Sequence, residues 1–157
     1  MLGLFWTAIG VGGVGASLFA GSFTRRTRLG LVVVGAGAVW GLALFGFGTV
    51  SSGYLSLALL VVAGAADTVS VVSRGAVVQL ATPEEFRGRS SAVEMVVGVA
   101  GPDLGNMRAG IVAQGTSGAF AVASGGVASL IALSVVVATS PALLTFRAGR
   151  EAAGTAR

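Results

Sequence analysis

Five ionisable side chains interrupt long apolar stretches of this chain: Asp67, Arg74, Glu94, Asp103 and Arg108. A carboxylate in such surroundings can bind and release a proton or hold a polar solute, and a neighbouring arginine sets its charge. Asp67 and Arg74 stand two helical turns apart on one face, where Arg74 pairs with Asp67 or reaches the next helix. Two readings stand for these groups. In one, Asp67 or Asp103 carries a proton or contacts a solute, with Arg74 or Arg108 as counter-charge. In the other, Asp67–Arg74 is a fixed ion pair, and Glu94 and Arg108 lie level with lipid headgroups near the two helix ends. Asp103 is the first candidate for function. It directly follows Pro102 and is bracketed by Gly98, Gly101 and Gly105, so freed carbonyls of a kinked helix would line a cavity beside it. Trp40, in the middle of another apolar stretch, is a candidate for stacking on a solute or for packing.

Positioning such groups takes apolar helices, and the composition supplies them. Hydrophobic residues make up 54% of the chain and charged ones 10%, well below the quarter usual in a soluble domain. Apolar stretches run over residues 2–22, 29–50, 54–80, 90–113 and 119–146, each near the roughly 20 residues that cross a hydrocarbon core. They are too long for strands and lack strict alternation. Residues 2–20 do not read as a secretory signal, because no basic residue precedes them. The expected class is an all-α membrane protein of about five transmembrane helices over residues 1–147. A small polar tail, residues 148–157, is expected to be disordered. Gly37 with Gly41, Gly101 with Gly105, and Gly12 with Ala16 repeat at the four-residue spacing that lets helices pack closely.

Other classes are excluded by what the chain lacks. It has no Cys and no His, which removes disulfides, thiolate metal sites and the commonest general base. No nucleophile–base pair, metal cluster or cofactor motif can be assembled, so neither an enzyme nor a cofactor or metal is expected. The glycine run at residues 10–15 looks like a nucleotide loop but lies inside an apolar stretch with no preceding strand. A net charge of +4 does not imply a nucleic-acid partner, because the arginines are placed by connection.

That placement gives topology. Arg25, Arg26 and Arg28 follow the first stretch, Arg87 and Arg89 the third, and Arg147, Arg150 and Arg157 the fifth. The connections at 51–53 and 114–118 carry no charge. Strict alternation of this kind places the N-terminus outside and the C-terminus in the cytoplasm.

Connection three concentrates charge in Pro83-Glu84-Glu85-Phe86-Arg87-Gly88-Arg89. Thr82 reads as an N-cap, Pro83 as the first helical residue and Glu85 as the partner that closes a capping box. Arg87 and Arg89 are placed to meet anionic headgroups, and Gly88 to admit a neighbouring element.

This run, with Gly64-Ala65-Ala66-Asp67 before it, Val77-Val78-Gln79-Leu80-Ala81-Thr82 leading into it and Ser91-Ala92 after it, resembles the tenth-to-eleventh helix region of major facilitator superfamily transporters. The similarity is greatest to the branch of enterobactin (siderophore) exporters and drug efflux proteins. Residues 21–28 occupy the place of the family's Gly-x-x-x-Asp-Arg-x-Gly-Arg-Arg loop but lack its Asp and inner Gly. The resemblance implies that the five helices match the eighth to twelfth of a twelve-helix fold. It further implies a C-terminal fragment of a proton-coupled exporter of a siderophore or hydrophobic drug, inactive by itself, in the bacterial inner membrane. Its expected partners are the lipid bilayer, protons and that small molecule, and the Pro83–Arg89 loop would act as a cytoplasmic latch. The alternative is a non-transporting membrane remnant, or an interaction protein packing through its small-residue faces.

The topology is checked with reporters. A fluorescent protein fused after Arg157 should fold and fluoresce, and alkaline phosphatase inserted at 114–118 should be active; the reverse pattern overturns the assignment.

Overall fold

The computed structural model describes residues 2–24, 28–140 and Leu144. Five long helices follow one another: α1 (Leu2–Thr24), α2 (Leu29–Thr49), α3 (Gly53–Ala81), α4 (Arg87–Gly115) and α5 (Gly118–Thr139). A 3-10 turn at Glu84–Phe86 joins α3 to α4, and no strand occurs among the described residues. The tail expected to be disordered, residues 148–157, lies outside the described residues.

Local chemistry sets the boundaries. Helix α3 ends at Thr82, which is extended because a following proline disfavours helical backbone. Helix α5 starts after Ser117, whose hydroxyl accepts a hydrogen bond from the Phe120 N–H at 3.2 Å. Inside the helices, polar side chains turn back on their own backbone. Thr68 donates to the Gly64 carbonyl at 3.1 Å and Ser134 to the Leu130 carbonyl at 2.8 Å. Hydroxyls satisfied within one helix carry no penalty in an apolar solvent.

Helices α2, α3 and α5 are long and apolar enough to cross a membrane. Helix α1 contributes a shorter apolar stretch, Gly3–Leu18, and α4, which carries five of the charges, does not meet the same standard. Length and apolarity thus mark three crossings where the sequence reading expects five.

Spatial order departs from chain order. Helix α3 packs on both α1 and α2, α2 packs on α5, and α5 touches α4, while α1 and α2 scarcely meet. A T-shaped contact of Phe5 and Phe47, 5.6 Å between ring centres, joins α1 and α2 near one end.

The interior is built from small residues. Ala8, Ala16, Ala36, Ala43, Ala63, Ala66 and Ala121 are buried, whereas Trp6, Leu18, Leu42 and Met95 point outward. In the α1–α3 seam a Cβ on Gly12 would strike the Val61 carbonyl, and one on Gly64 the Ile9 carbonyl. In the α2–α5 seam a Cβ on Gly126 would lie 2.6 Å from the Gly41 carbonyl oxygen. Gly37 and Gly41 both sit there, facing Leu133 and Leu130. Gly101 and Gly105 do not form a seam: a Cβ on either meets nothing within 4 Å. The four-residue spacing is present on α4, but none of the described helices covers that face.

Substitution tests this distinction. Gly64→Leu or Gly126→Leu should cost about 1–3 kcal/mol through overpacking, and Gly101→Leu less than about 0.5 kcal/mol, read from denaturation in detergent micelles.

Candidate functional site

The α3–α4 connection is built differently from the capping box its sequence announces. The Thr82 hydroxyl donates back to the Val78 carbonyl at 2.7 Å, finishing α3 rather than starting α4. Pro83 is extended (φ −55°, ψ 150°) and precedes the 3-10 turn, so it is not a first helical residue. The Phe86 N–H bonds the Pro83 carbonyl at 3.0 Å, and no side chain caps the start of α4. The physical reason is position: an N-cap oxygen must accept from a helix N–H, and with Pro83 extended and α4 starting only at Arg87, Thr82 stands too far upstream of the helix start to cap it.

Charges in this connection are solvated. Glu84 and Arg87 approach to 3.6 Å, both largely exposed, a geometry that contributes little to stability. Glu85 and Arg89 are exposed, and a Cβ on Gly88 meets nothing within 4 Å, so Gly88 admits no neighbour from the described residues.

Beyond the connection, α3 and α4 diverge around a cleft of about 450 Å³. Val78, Val93 and Val97 form its walls, Phe86 and Ser90 its mouth, and Arg74, Arg89 and Glu94 supply charge. Arg74 Nε lies 3.9 Å from Glu94 Oε1 across the cleft. Arg74 therefore reaches the following helix and does not form the fixed pair with Asp67. Seven residues of helix separate Asp67 from Arg74 by about 10 Å along the axis, whereas Glu94 stands opposite. Glu94 is the less exposed member of this pair.

Arg108 is likewise committed elsewhere. Its Nη2 donates to the Ser124 hydroxyl of α5 at 2.9 Å, and Ser124 donates onward to the Ala121 carbonyl at 3.0 Å. Asp103, five residues earlier, is turned roughly 140° around the helix at 100° per residue, so Arg108 is not its counter-charge. Among the described residues Asp103 and Asp67 are exposed and form no ion pair. Pro102 sits within a continuous α4 none of whose residues is buried. Trp40 is half-buried next to Gly41 of the α2–α5 seam and lines neither the cleft nor the groove described next. The structure thus joins Arg74 to Glu94 and Arg89, and leaves Asp67, Asp103, Arg108 and Trp40 apart.

Two features escaped the sequence. An apolar groove of about 860 Å³ opens between α1 and α2 over α3, lined by Gly12, Ala16, Val39, Val61 and Ala65 among others. The small face of α1 was its visible trace. Ser73 is almost wholly buried and its hydroxyl has no hydrogen-bond partner. Its place directly before Arg74 gave no signal.

Both polar ties of α4 can be weighed. A double-mutant cycle on Arg74→Gln and Glu94→Gln should give a coupling below about 1 kcal/mol, because the pair is long and partly exposed. Ser124→Ala should cost roughly 0.6 kcal/mol, the average for a hydrogen bond between membrane helices.

Comparison of the chain with protein families, with curated proteins and with solved structures finds no match, so a functional reading rests on its own residues and geometry.

Proposed function

We propose that this chain is the C-terminal part of a secondary active transporter of the major facilitator type. In this reading it exports a siderophore or hydrophobic drug against proton uptake across the bacterial inner membrane. Five helices cross the bilayer, the N-terminus is outside, and the Pro83–Arg89 connection is cytoplasmic. The chain alone does not transport.

One observation carries the reading: α4 is a long helix none of whose described residues is buried, and it bears the exposed Asp103 in its middle. An ionised side chain at a helix centre costs at least about 2.5–3.5 kcal/mol in lipid, so that face belongs against protein or a water-filled path. In two-repeat transporters the substrate site lies where the repeats meet near the midplane. A helix that carries an exposed Asp103 between Gly101, Pro102 and Gly105 suits that position. Arg74 and Arg108 are engaged by Glu94 and Ser124. Asp67 and Asp103 are therefore not locked to either arginine, the condition a reversible proton site needs.

A second reading is favoured by the open space at Gly101 and Gly105, where another membrane helix could dock without transport. The two separate in vesicles carrying the chain in its native reading frame, with whatever coding sequence adjoins it. Proton-driven efflux of a fluorescent hydrophobic dye is expected, falling to the level of empty vesicles in Asp103→Asn with unchanged membrane insertion. Unaltered efflux in that variant sinks the role of Asp103. Absence of efflux together with disulfide capture of a partner at Gly101→Cys establishes the second reading.

A further inference from the structure

We propose that the α3–α4 cleft binds an anionic amphiphile, a phosphate headgroup carrying an aliphatic chain, taken from the surrounding bilayer. The inference rests on apolar helices lying in a membrane and not on transport, so loss of lipid retention and loss of efflux are independent results.

The cleft has the two-part chemistry that such a molecule needs. Arg74 comes from α3 and Arg89 from α4, and both line the same space together with the Ser90 hydroxyl. A single carboxylate, Glu94, opposes these two guanidinium groups, leaving the cleft positive. Neither cation is used up. Arg74 has only the long 3.9 Å approach to Glu94 and stays about half exposed, and Arg89 forms no ion pair among the described residues. Glu84, the nearest carboxylate in sequence to contact a cation, is taken by Arg87. Below the charges the walls are Val78, Val93 and Val97, which offer a phosphate nothing and an acyl chain a dry surface. Arg74 lies about 10 Å of helix before the end of α3, near enough for its stem to lie along the wall while its head reaches the mouth. A guanidinium fork matches phosphate oxygens in two-point contact, which an ammonium does not. The apolar groove over α3 is lined by no charged side chain and offers no such anchor.

Glu94 makes the inference sharper, because it competes with the ligand for Arg74. Removing its charge should tighten binding, an effect that misfolding does not produce.

The test is native mass spectrometry of the chain released from nanodiscs of mixed phosphatidylglycerol and phosphatidylcholine with identical chains. Phosphatidylglycerol should be retained in preference. Arg74→Gln with Arg89→Gln should reduce that preference about tenfold or more, at roughly 1 kcal/mol per basic residue near a membrane surface. Val93→Trp, which fills the cleft and keeps both arginines, should abolish it, and Glu94→Gln should raise it several-fold. Displacement by octyl phosphate but not by glycerol 3-phosphate supports the proposal and shows that soluble amphiphiles share the site. Equal retention of the two lipids overturns it, as does preference unchanged in Val93→Trp and Glu94→Gln, or displacement by glycerol 3-phosphate alone.

Discussion

Helices in a bilayer gain little by hiding apolar surface from a solvent that is itself apolar, so what holds them together is closeness of fit. In this chain closeness means backbone against backbone. Gly12 and Gly64 bring α1 onto α3 near the Val61 and Ile9 carbonyls, and Gly41 and Gly126 do the same for α2 and α5. The spatial order follows from where those glycines sit. Helix α1 neighbours α3 rather than α2 because its glycine face meets the glycine face of α3. The distribution of size follows as well, with alanines inside and Trp6, Leu18 and Leu42 directed outward, the reverse of a soluble core.

The same solvent governs the polar groups. Hydroxyls are acceptable because they bond one turn back, as Thr7 does to the Gly3 carbonyl and Thr139 to the Val135 carbonyl. Arginines are acceptable where a neighbouring helix offers oxygen, as Glu94 does for Arg74 and Ser124 for Arg108. Ser73 departs from this pattern. It is almost wholly buried, and its hydroxyl has no hydrogen-bond partner.

Much of this was legible in the sequence, and what was not has physical causes. The apolar stretch at 29–50 became α2 (Leu29–Thr49) and that at 54–80 became α3 (Gly53–Ala81), since a long apolar run in lipid has no alternative to a helix. Helix α4 begins at Arg87, inside the charged run, because a 3-10 turn brings the chain round within three residues. The capping box at Thr82 does not form, and the pattern does not show where the helix starts: Pro83 is extended and α4 begins only at Arg87, with no side-chain cap. Pairing was the hardest part. Spacing shows which residues share a face, as Asp67 and Arg74 do, and says nothing of what stands opposite. Glu94 stands opposite Arg74 through the angle at which α4 leaves the connection, a tertiary quantity with no local signature.

Helix α4 draws these strands together. Its glycines form none of the backbone seams that fasten α1, α2, α3 and α5, and its polar ties among the described residues are the Arg108–Ser124 hydrogen bond, a long Thr82–Ser90 one and the long ion pair at Glu94. Its charges make it a poor lipid-facing helix, and its glycines face open space, unlike Gly12, Gly64 and Gly126, which meet backbone. Its polar ties are of the kind that shift readily, since membrane hydrogen bonds average only about 0.6 kcal/mol. The face that its neighbours leave bare carries Asp103 among Val99, Leu104, Met107 and Ile111, so a single charge stands there in a largely apolar surface.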